Sequence, residues 1–360
     1  MTNLNKQADH QQVYNKQADY QQAYNQQAYN QQLLDQLALV IQMGVSVDEF
    51  SLFFAHCNYS QLRHHLIQQL TEVCSIEICQ IELTPDITDL YTTLYTSCQT
   101  QLEQKQPQGI MVYGFEVVRD LEQLLKLANG VRKEFREQFH FPILFWVDDR
   151  VYSQFLNSAR DLASWVTGSP LEFQISSAYL IELIEQVCDL GFTQVLDAGA
   201  PGSLDHGQNL SNQQLADLRR AWLELQHRQV ELAPDLEASL EFILGRGISD
   251  AINQSEEHYQ RSLDLWKPLL PVYLFPEPEH LIRYGCVLFY MGELYHTYAD
   301  QDRNHGKENY LRARDYFMRS HKAFEQAKRP DLVAKFINPL GEILQRLGRW
   351  DELEQLGKKL

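Results

Sequence analysis

Short apolar runs alternate with longer amphipathic segments over residues 33–175. The runs at 109–114 and 141–147 are almost continuously apolar, which is typical of parallel strands that are buried on both faces. The longer segments between the runs repeat apolar residues at helical spacing. This alternation predicts an open α/β domain whose parallel sheet is covered by helices on both sides. The predicted strands are 50–55, 76–83, 109–114, 141–147 and 171–175, and the predicted helices are 33–41, 59–73, 87–103, 121–139 and 151–163.

After residue 176 the strand signals stop, and helical periodicity continues to residue 360. The segments 259–266 and 317–324 superpose at an offset of 58 residues, and both keep Arg-Ser in the middle and a large aromatic residue at each end. Gly292 is placed where two helices could cross closely, because glycine adds no side chain. The pattern predicts an all-α second domain of stacked helix pairs over 176–360, clearest over 256–360. The alternative is a set of helices that only pack against the α/β domain.

Stacked helix pairs leave a concave face, which commonly binds a protein partner. Three tyrosines in the clearest part of this region are candidates either for the helical core or for that face: Tyr284, Tyr290 and Tyr295. On the concave face they would contact the partner, because a tyrosine combines a large apolar ring with a polar tip.

The first 32 residues carry a ten-residue repeat that is rich in Gln, Asn and Tyr. Residues 5–14 recur as 15–24, and a shortened copy follows at 25–30. Such a segment has few aliphatic side chains to bury, so we expect a low-complexity tail over 1–32 ahead of the α/β domain at 33–175. A self-associating segment and a helix that runs into the first folded helix are the alternatives.

Charge and composition exclude several classes of function. The 360 residues include 31 Lys and Arg against 48 Asp and Glu, which gives a net charge of −17. A surface this acidic repels phosphate backbones, so we expect no nucleic-acid partner. No apolar run approaches the roughly 18 residues of a membrane span, and the polar first residues do not resemble a signal peptide. The six cysteines lack paired spacing, which predicts buried free thiols and a cytoplasmic protein.

An α/β domain invites a test for a nucleotide site. A P-loop needs glycines and a lysine between the first strand and its helix, because backbone amides and an ammonium group hold the phosphates. Residues 56–60 stand at this position and contain neither, and no lysine occurs anywhere in 17–104. We therefore expect no nucleotide cofactor and no ATP hydrolysis. The start of the 59–73 helix could still attract an anion, with Asn58 and Arg63 as its contacts.

Carboxylates that follow two buried strands are the candidate metal ligands. Glu116 follows one strand, and Asp148 and Asp149 follow another, where a nucleotide-binding fold holds magnesium. The alternative needs no metal: one of the two aspartates caps the helix that starts near Val151, and Glu116 opens a helix. We favour this alternative and expect no bound metal.

Other catalytic patterns are absent or poorly arranged. His56 beside Cys57 could suggest a cysteine hydrolase, but neighbouring residues on a strand point to opposite faces. The sequence has no His-Glu-x-x-His and no paired Cys-x-x-Cys, so zinc ligation is not predicted.

Two sets of segments carry a resemblance to a known architecture: 50–58, 110–116, 124–135, 141–147 and 161–165 in the first part of the chain, and 325–332 and 340–347 in the last part. The first set resembles the core of a P-loop NTPase of the STAND/AAA-like kind, and the second resembles tetratricopeptide repeats. The two are fused in many bacterial, especially cyanobacterial, proteins, so the resemblance implies a P-loop-NTPase-like sheet domain followed by repeat helices.

These observations predict a non-enzymatic adaptor or regulatory scaffold with a pseudo-NTPase platform. The net charge of −17 favours a protein partner with a basic segment, through steering more than affinity. The alternative is a signalling switch of the STAND ATPase type that responds to a nucleotide or another anion, with Arg63 in place of the missing lysine.

Overall fold

The computed structural model describes residues 26, 28–45, 49–101, 107–199, 210–247, 252–270, 277–301 and 305–359. The chain divides into two compact units, Met1–Ala178 and Tyr179–Leu360. The first unit is α/β and the second is helical, as the sequence pattern predicts. Most of the predicted tail lies outside the described residues, so the proposals for its repeat stay predictions.

Within the described residues, the α/β unit contains a five-stranded parallel sheet with the order β2-β3-β4-β1-β5. The connection between β1 and β2 therefore crosses from the inner part of the sheet to its edge. The strands are β1 (Ser51–His56), β2 (Ile78–Glu82), β3 (Gly109–Tyr113), β4 (Pro142–Val147) and β5 (Leu171–Glu172). The helices are α1 (28–45), α2 (Ser60–Val73), α3 (Leu90–Gln101), α4 (Leu121–Gly130), α5 (Arg132–Gln138), α6 (Asp149–Ser158) and α7 (Arg160–Ala163), with a 3₁₀ turn at Phe115–Val117.

The sheet is buried on both faces, which explains why its central strands are apolar throughout. All six residues of β4 are buried between β3 and β1. One face packs Phe54, Val112 and Phe145 into a core shared with helices α3 to α6. On the opposite face, Ile41 of α1 and Met111 of β3 line the same small cavity. The prediction of a parallel sheet between two helical layers is confirmed.

Helix α1 begins earlier than predicted, because a polar side chain anchors its first turns. The Asn30 amide donates to the carbonyl oxygen of Gln174 (2.7 Å), and the Gln174 amide donates back to the Asn30 side-chain oxygen (2.9 Å). This pairing joins residues 144 positions apart, so no local pattern could reveal it. Residues 28–32, assigned to the tail from composition, belong to this helix.

The helix predicted over 121–139 is two helices, α4 and α5. Val131 separates them, with φ −102° and ψ 25°. Close to this break, Arg132 Nη1 donates to the Asn129 carbonyl oxygen (2.9 Å). The Asn129 side-chain oxygen accepts from the amide of Leu162 (3.0 Å), so Asn129 also holds the start of α7.

The helical unit continues from the first turn of α8 and ends with three short helices. Its helices are α8 (Ser177–Ala198), α9 (Asn212–His227), α10 (Pro234–Arg246), α11 (Ile252–Trp266), α12 (Pro278–Gln301), α13 (Gly306–Gln326), α14 (Pro330–Lys335), α15 (Asn338–Arg346) and α16 (Trp350–Lys359). Among the described residues, no helix is both long enough and apolar enough to cross a lipid bilayer. The six cysteines are free and buried, as predicted.

The α10–α11 and α12–α13 hairpins share one mode of close crossing. A Cβ atom added at Gly245 would lie 2.7 Å from the ring of Tyr259, and one added at Gly292 would lie 2.7 Å from the ring of Phe317. Real Cβ atoms do not approach a ring so closely, so glycine is required at both crossings. The role predicted for Gly292 is confirmed.

A buried serine repeats in the same two hairpins. Ser262 Oγ donates to the carbonyl oxygen of Ala238, and Ser320 Oγ donates to that of Gly285, both at 2.7 Å. The equivalent positions of the first helices lie 47 residues apart, whereas those of the second helices lie 58 apart. The extra residues lie in α12 and α13 themselves, which extend further beyond the crossing than α10 and α11 do.

We expect Gly292→Ala to destabilise the protein. The added methyl group would press on Phe317, and overpacking of this kind costs about 1–3 kcal/mol, against a gain in helix propensity of up to about 1 kcal/mol. Urea unfolding should show a lower midpoint for this variant. Gly357→Ala is the control, because nothing lies within 4 Å of its Cβ position in α16. A midpoint lowered equally by both changes would contradict the crossing argument.

Candidate functional site

The carboxyl ends of β3, β4 and β1 meet side by side at one edge of the sheet. Ligands of open α/β sheets bind outside this edge. The residues that follow these strands are those named from sequence as anion or metal contacts: Asn58, Glu116, Asp148 and Asp149. We call this region the carboxyl edge.

Two side chains bridge the carboxyl edge where a phosphate-binding loop would lie. Asn58 Nδ2 donates to Asp149 Oδ2 (2.8 Å), and the Asp149 amide donates to Asn58 Oδ1 (2.9 Å). His56 Nε2 also lies 2.9 Å from Asp149 Oδ1. These contacts fasten the β1–α2 connection to the start of α6, so Asn58 and Asp149 are engaged with each other.

The second pair at this edge is an ion pair in the interior. Arg63 in the first turns of α2 contacts Glu116 through Nη2 and Oε1, and their side chains are only 2% and 8% exposed. Arg150 Nη2 donates to the backbone oxygen of Glu116 (2.9 Å), so the turn after β3 is held from two sides. Arg63 Nε and Glu116 Oε2 are buried without a hydrogen-bond partner among the described residues. Glu116 therefore serves as the counter-charge of Arg63.

Asp148 acts as a helix cap. Its side chain is 4% exposed, and Oδ1 accepts from the amide of Val151 (2.8 Å) at the start of α6. This is the non-metal interpretation favoured from sequence, with Glu116 in a 3₁₀ turn. The part of the chain that the structure describes holds no group of three or more His, Cys, Asp or Glu side chains placed to bind a metal ion.

The Cys57 thiol is turned into the protein. It is 2% exposed, and Sγ donates to the carbonyl oxygen of Tyr59 (3.5 Å). The imidazole of His56, by contrast, lies against Asp149. The two side chains follow the separate directions expected for neighbours at a strand end.

Of the three tyrosines proposed for partner binding, Tyr295 is buried in the helical unit and Tyr290 is half-buried among aromatic rings. Tyr290 packs edge-on against Phe242 with Arg246 over its ring (5.0 Å), and burial raises the pKa of Tyr290. Tyr295 is 9% exposed, and its hydroxyl donates to Glu256 Oε1 (2.6 Å). Burial and this hydrogen bond raise the pKa of Tyr295 to about 12.

Tyr284 belongs to a surface that the sequence analysis did not identify. Its hydroxyl accepts from Arg319 Nη2 (2.9 Å), and the same guanidinium lies 5.4 Å from the ring centre of Tyr316. Both Tyr284 and Tyr316 are half-buried, whereas Arg319 is exposed. We call these three residues the tyrosine–arginine surface. The spacing of Tyr316 and Arg319, one helical turn apart, could have indicated it.

A scan of protein-family models and a search of curated proteins each found no match to this chain. The architecture and the site therefore rest on the geometry given above.

Removing one partner of the Arg63–Glu116 pair should destabilise the protein strongly. Arg63→Met would leave a buried carboxylate without its counter-charge, and such changes cost about 3–5 kcal/mol. The double variant Arg63→Met with Glu116→Leu should recover much of this loss, because it leaves no buried charge. The free energies of unfolding in urea of the wild type, both single variants and the double variant form a double-mutant cycle. Strictly additive losses would show that the two side chains do not depend on each other.

Proposed function

We propose that this protein is a non-enzymatic adaptor or regulatory scaffold that binds a protein partner through its helical unit. The α/β unit would serve as a rigid, pseudo-NTPase platform. The observation that carries this proposal is the closure of the carboxyl edge by its own side chains: Asn58 with Asp149, and Arg63 with Glu116.

The closed edge argues against nucleotide hydrolysis in two ways. The β1–α2 connection lacks the glycines that let backbone amides approach phosphates, and it lacks the lysine that neutralises them. One of the three carboxylates considered as magnesium ligands, Glu116, is paired with Arg63 inside the protein. Opening that pair for a ligand would leave charged groups to be satisfied again in the interior.

Partner binding is supported by the repeated hairpins and by the tyrosine–arginine surface. Stacked helix pairs of tetratricopeptide-like form offer a continuous surface on which a segment can dock. Tyrosine and arginine are the residue types that contribute most at protein interfaces, because they combine large area with directional hydrogen bonds. The arginine here is held in place by Tyr284 and Tyr316, so little side-chain freedom is lost on docking.

The alternative function is a switch that responds to a nucleotide or another anion. It is favoured by one observation: within the described part of the chain, Arg63 Nε and Glu116 Oε2 are buried without a hydrogen-bond partner close to the start of α2. That helix begins at Ser60, and its first turn carries the positive end of the helix dipole. An anion there would compete with Glu116 for Arg63.

For the scaffold we expect no change in melting temperature with millimolar Mg-ATP. A ligand that binds only the folded protein at 100 times its Kd stabilises it by about 2.7 kcal/mol, which scanning fluorimetry detects easily. Arg63→Gln measured with and without Mg-ATP is the control, because only the ligand-induced shift is compared. A rise of several degrees in the wild type that is absent in Arg63→Gln would favour the switch.

We also expect partner capture to depend on the tyrosine–arginine surface. The full chain with Tyr284→Ala and Arg319→Ala should lose a partner, identified by its mass spectrum, that the wild type recovers in stoichiometric amount. The matched variant Asn58→Ala alters the carboxyl edge only and should keep that partner. Loss in the Asn58→Ala variant alone would place partner binding on the α/β unit and contradict this part of the proposal.

A further inference from the structure

An open cavity lies in the α/β unit between α1 and the segment 167–172, and its volume is about 620 Å³. Its inner wall is apolar, because it includes the buried side chains of Leu33, Leu37 and Phe53. Pockets for small molecules measure roughly 300–1,000 Å³ and are lined mainly by apolar groups with a few polar ones. The cavity therefore has the size and the character of a site for one small molecule.

The cavity exists because the chain that follows β1 on its outer side is longer than β1 itself. Val166 pairs with Leu52, and pairing resumes where Leu171 meets Ala55, so the outer segment has more residues than the part of β1 that it follows. The excess forms a bulge, in which Gly168 has a φ of 79°. Glycine adopts this left-handed conformation without strain. The bulge stands away from the edge of β1, and the cavity occupies the space between them.

The two walls of the cavity are tied to each other. Asn30 lies on α1, one wall, and Gln174 directly follows the segment that forms the other wall. Two hydrogen bonds of 2.7 and 2.9 Å join them, and Asn30 is only 9% exposed, so water competes little for these bonds. The cavity is therefore formed before a ligand arrives. A preformed site binds more tightly than one that must be ordered, because less conformational freedom is lost.

The charged groups of the cavity indicate which ligand charge it prefers. Among the described residues that line it, Glu172 is the only carboxylate, and none is Lys, Arg or His. The sequence from 17 to 62, which supplies α1 and β1, also contains no Lys or Arg. Tyr29 adds an aromatic ring to the lining, and the face of such a ring attracts cations. An ammonium group is therefore attracted here, whereas the carboxylate of a fatty acid is repelled.

We propose that this cavity binds a small amphipathic amine, whose apolar body lies against Leu37 and Phe53 and whose ammonium group lies at Glu172. The side chains of Gln36 and Thr167 also line the cavity and supply hydrogen-bonding groups for further polar atoms of the ligand. This inference concerns the α/β unit alone. It does not depend on the partner binding proposed for the helical unit.

The test compares three probes that share one alkyl chain and differ only in the head group: decylamine, 1-decanol and decanoate. Calorimetric titration of the full chain at pH 7 should give decylamine the lowest Kd, then decanol, then decanoate. Because Glu172 is exposed, we expect the amine to bind more tightly than the alcohol by up to about fivefold. Glu172→Gln should remove most of this difference and keep the binding of decanol. Glu49→Gln is the matched control, because Glu49 is exposed and lies outside the cavity lining.

Filling the cavity tests its location. Val40 lines the cavity, and Val40→Trp should raise the Kd of every probe by about tenfold or more, because excluding even two methylene groups costs that much. Leu39→Trp is the matched control, because Leu39 is the preceding, exposed residue of α1 and lies outside the lining. Ser169→Trp fills the cavity from the other wall and replaces Val40→Trp if that variant fails to fold.

Three results would overturn the proposal. The first is that none of the probes binds the wild type. The second is that decanol or decanoate binds the wild type as tightly as decylamine does. The third is that decylamine binds the filled variants as tightly as it binds Leu39→Trp.

Discussion

The ion pair of Arg63 and Glu116 is the interaction on which the carboxyl edge of the α/β unit depends. A guanidinium and a carboxylate can leave water at acceptable cost only together, so α2 and the turn after β3 must form in register with each other. Arg150 extends this constraint to α6 by donating to the Glu116 carbonyl. The bridge between Asn58 and Asp149 fastens the remaining side.

The helical unit depends on close helix crossings instead of on a buried ion pair. Its hairpins use small residues where helices cross, so backbones approach closely and aromatic rings fill the space on either side. Ser262 and Ser320 satisfy carbonyl groups of the preceding helix at equivalent places. Each hairpin is thus specified by its own glycine, ring and serine. Successive hairpins can then differ in length, as α12 and α13 do, without losing the crossing that defines them.

The sequence predicts those features that local spacing encodes. Periodicity predicts the strands at 109–114 and 141–147 and the helices on both faces of the sheet. The small size of glycine predicts the close helix crossing at Gly292. What could not be predicted depends on side chains far apart in the chain. Arg63 and Glu116 are 53 residues apart, and each was visible as a candidate, but their pairing needs the strand order. Tyr295 was ambiguous for a similar reason, because an amphipathic ring fits a core or a surface equally well.

The placement of arginines bears on how this acidic protein would meet the partner proposed for it. Arg63 forms an ion pair with Glu116 in the interior, and Arg246 lies over the ring of Tyr290. The side chain of Arg283 is 17% exposed and contacts the carboxylates of Asp189 and Glu279. An arginine that is paired inside the protein contributes little to the electrostatic potential at its surface. The net charge of −17 therefore gives a negative potential in the surrounding solvent. That potential decays within a Debye length of about 8 Å at physiological salt. It can therefore accelerate the encounter with a basic segment, while the lifetime of a complex depends on uncharged contact area. For an adaptor of the kind proposed, recognition and steering would then be carried by different residues.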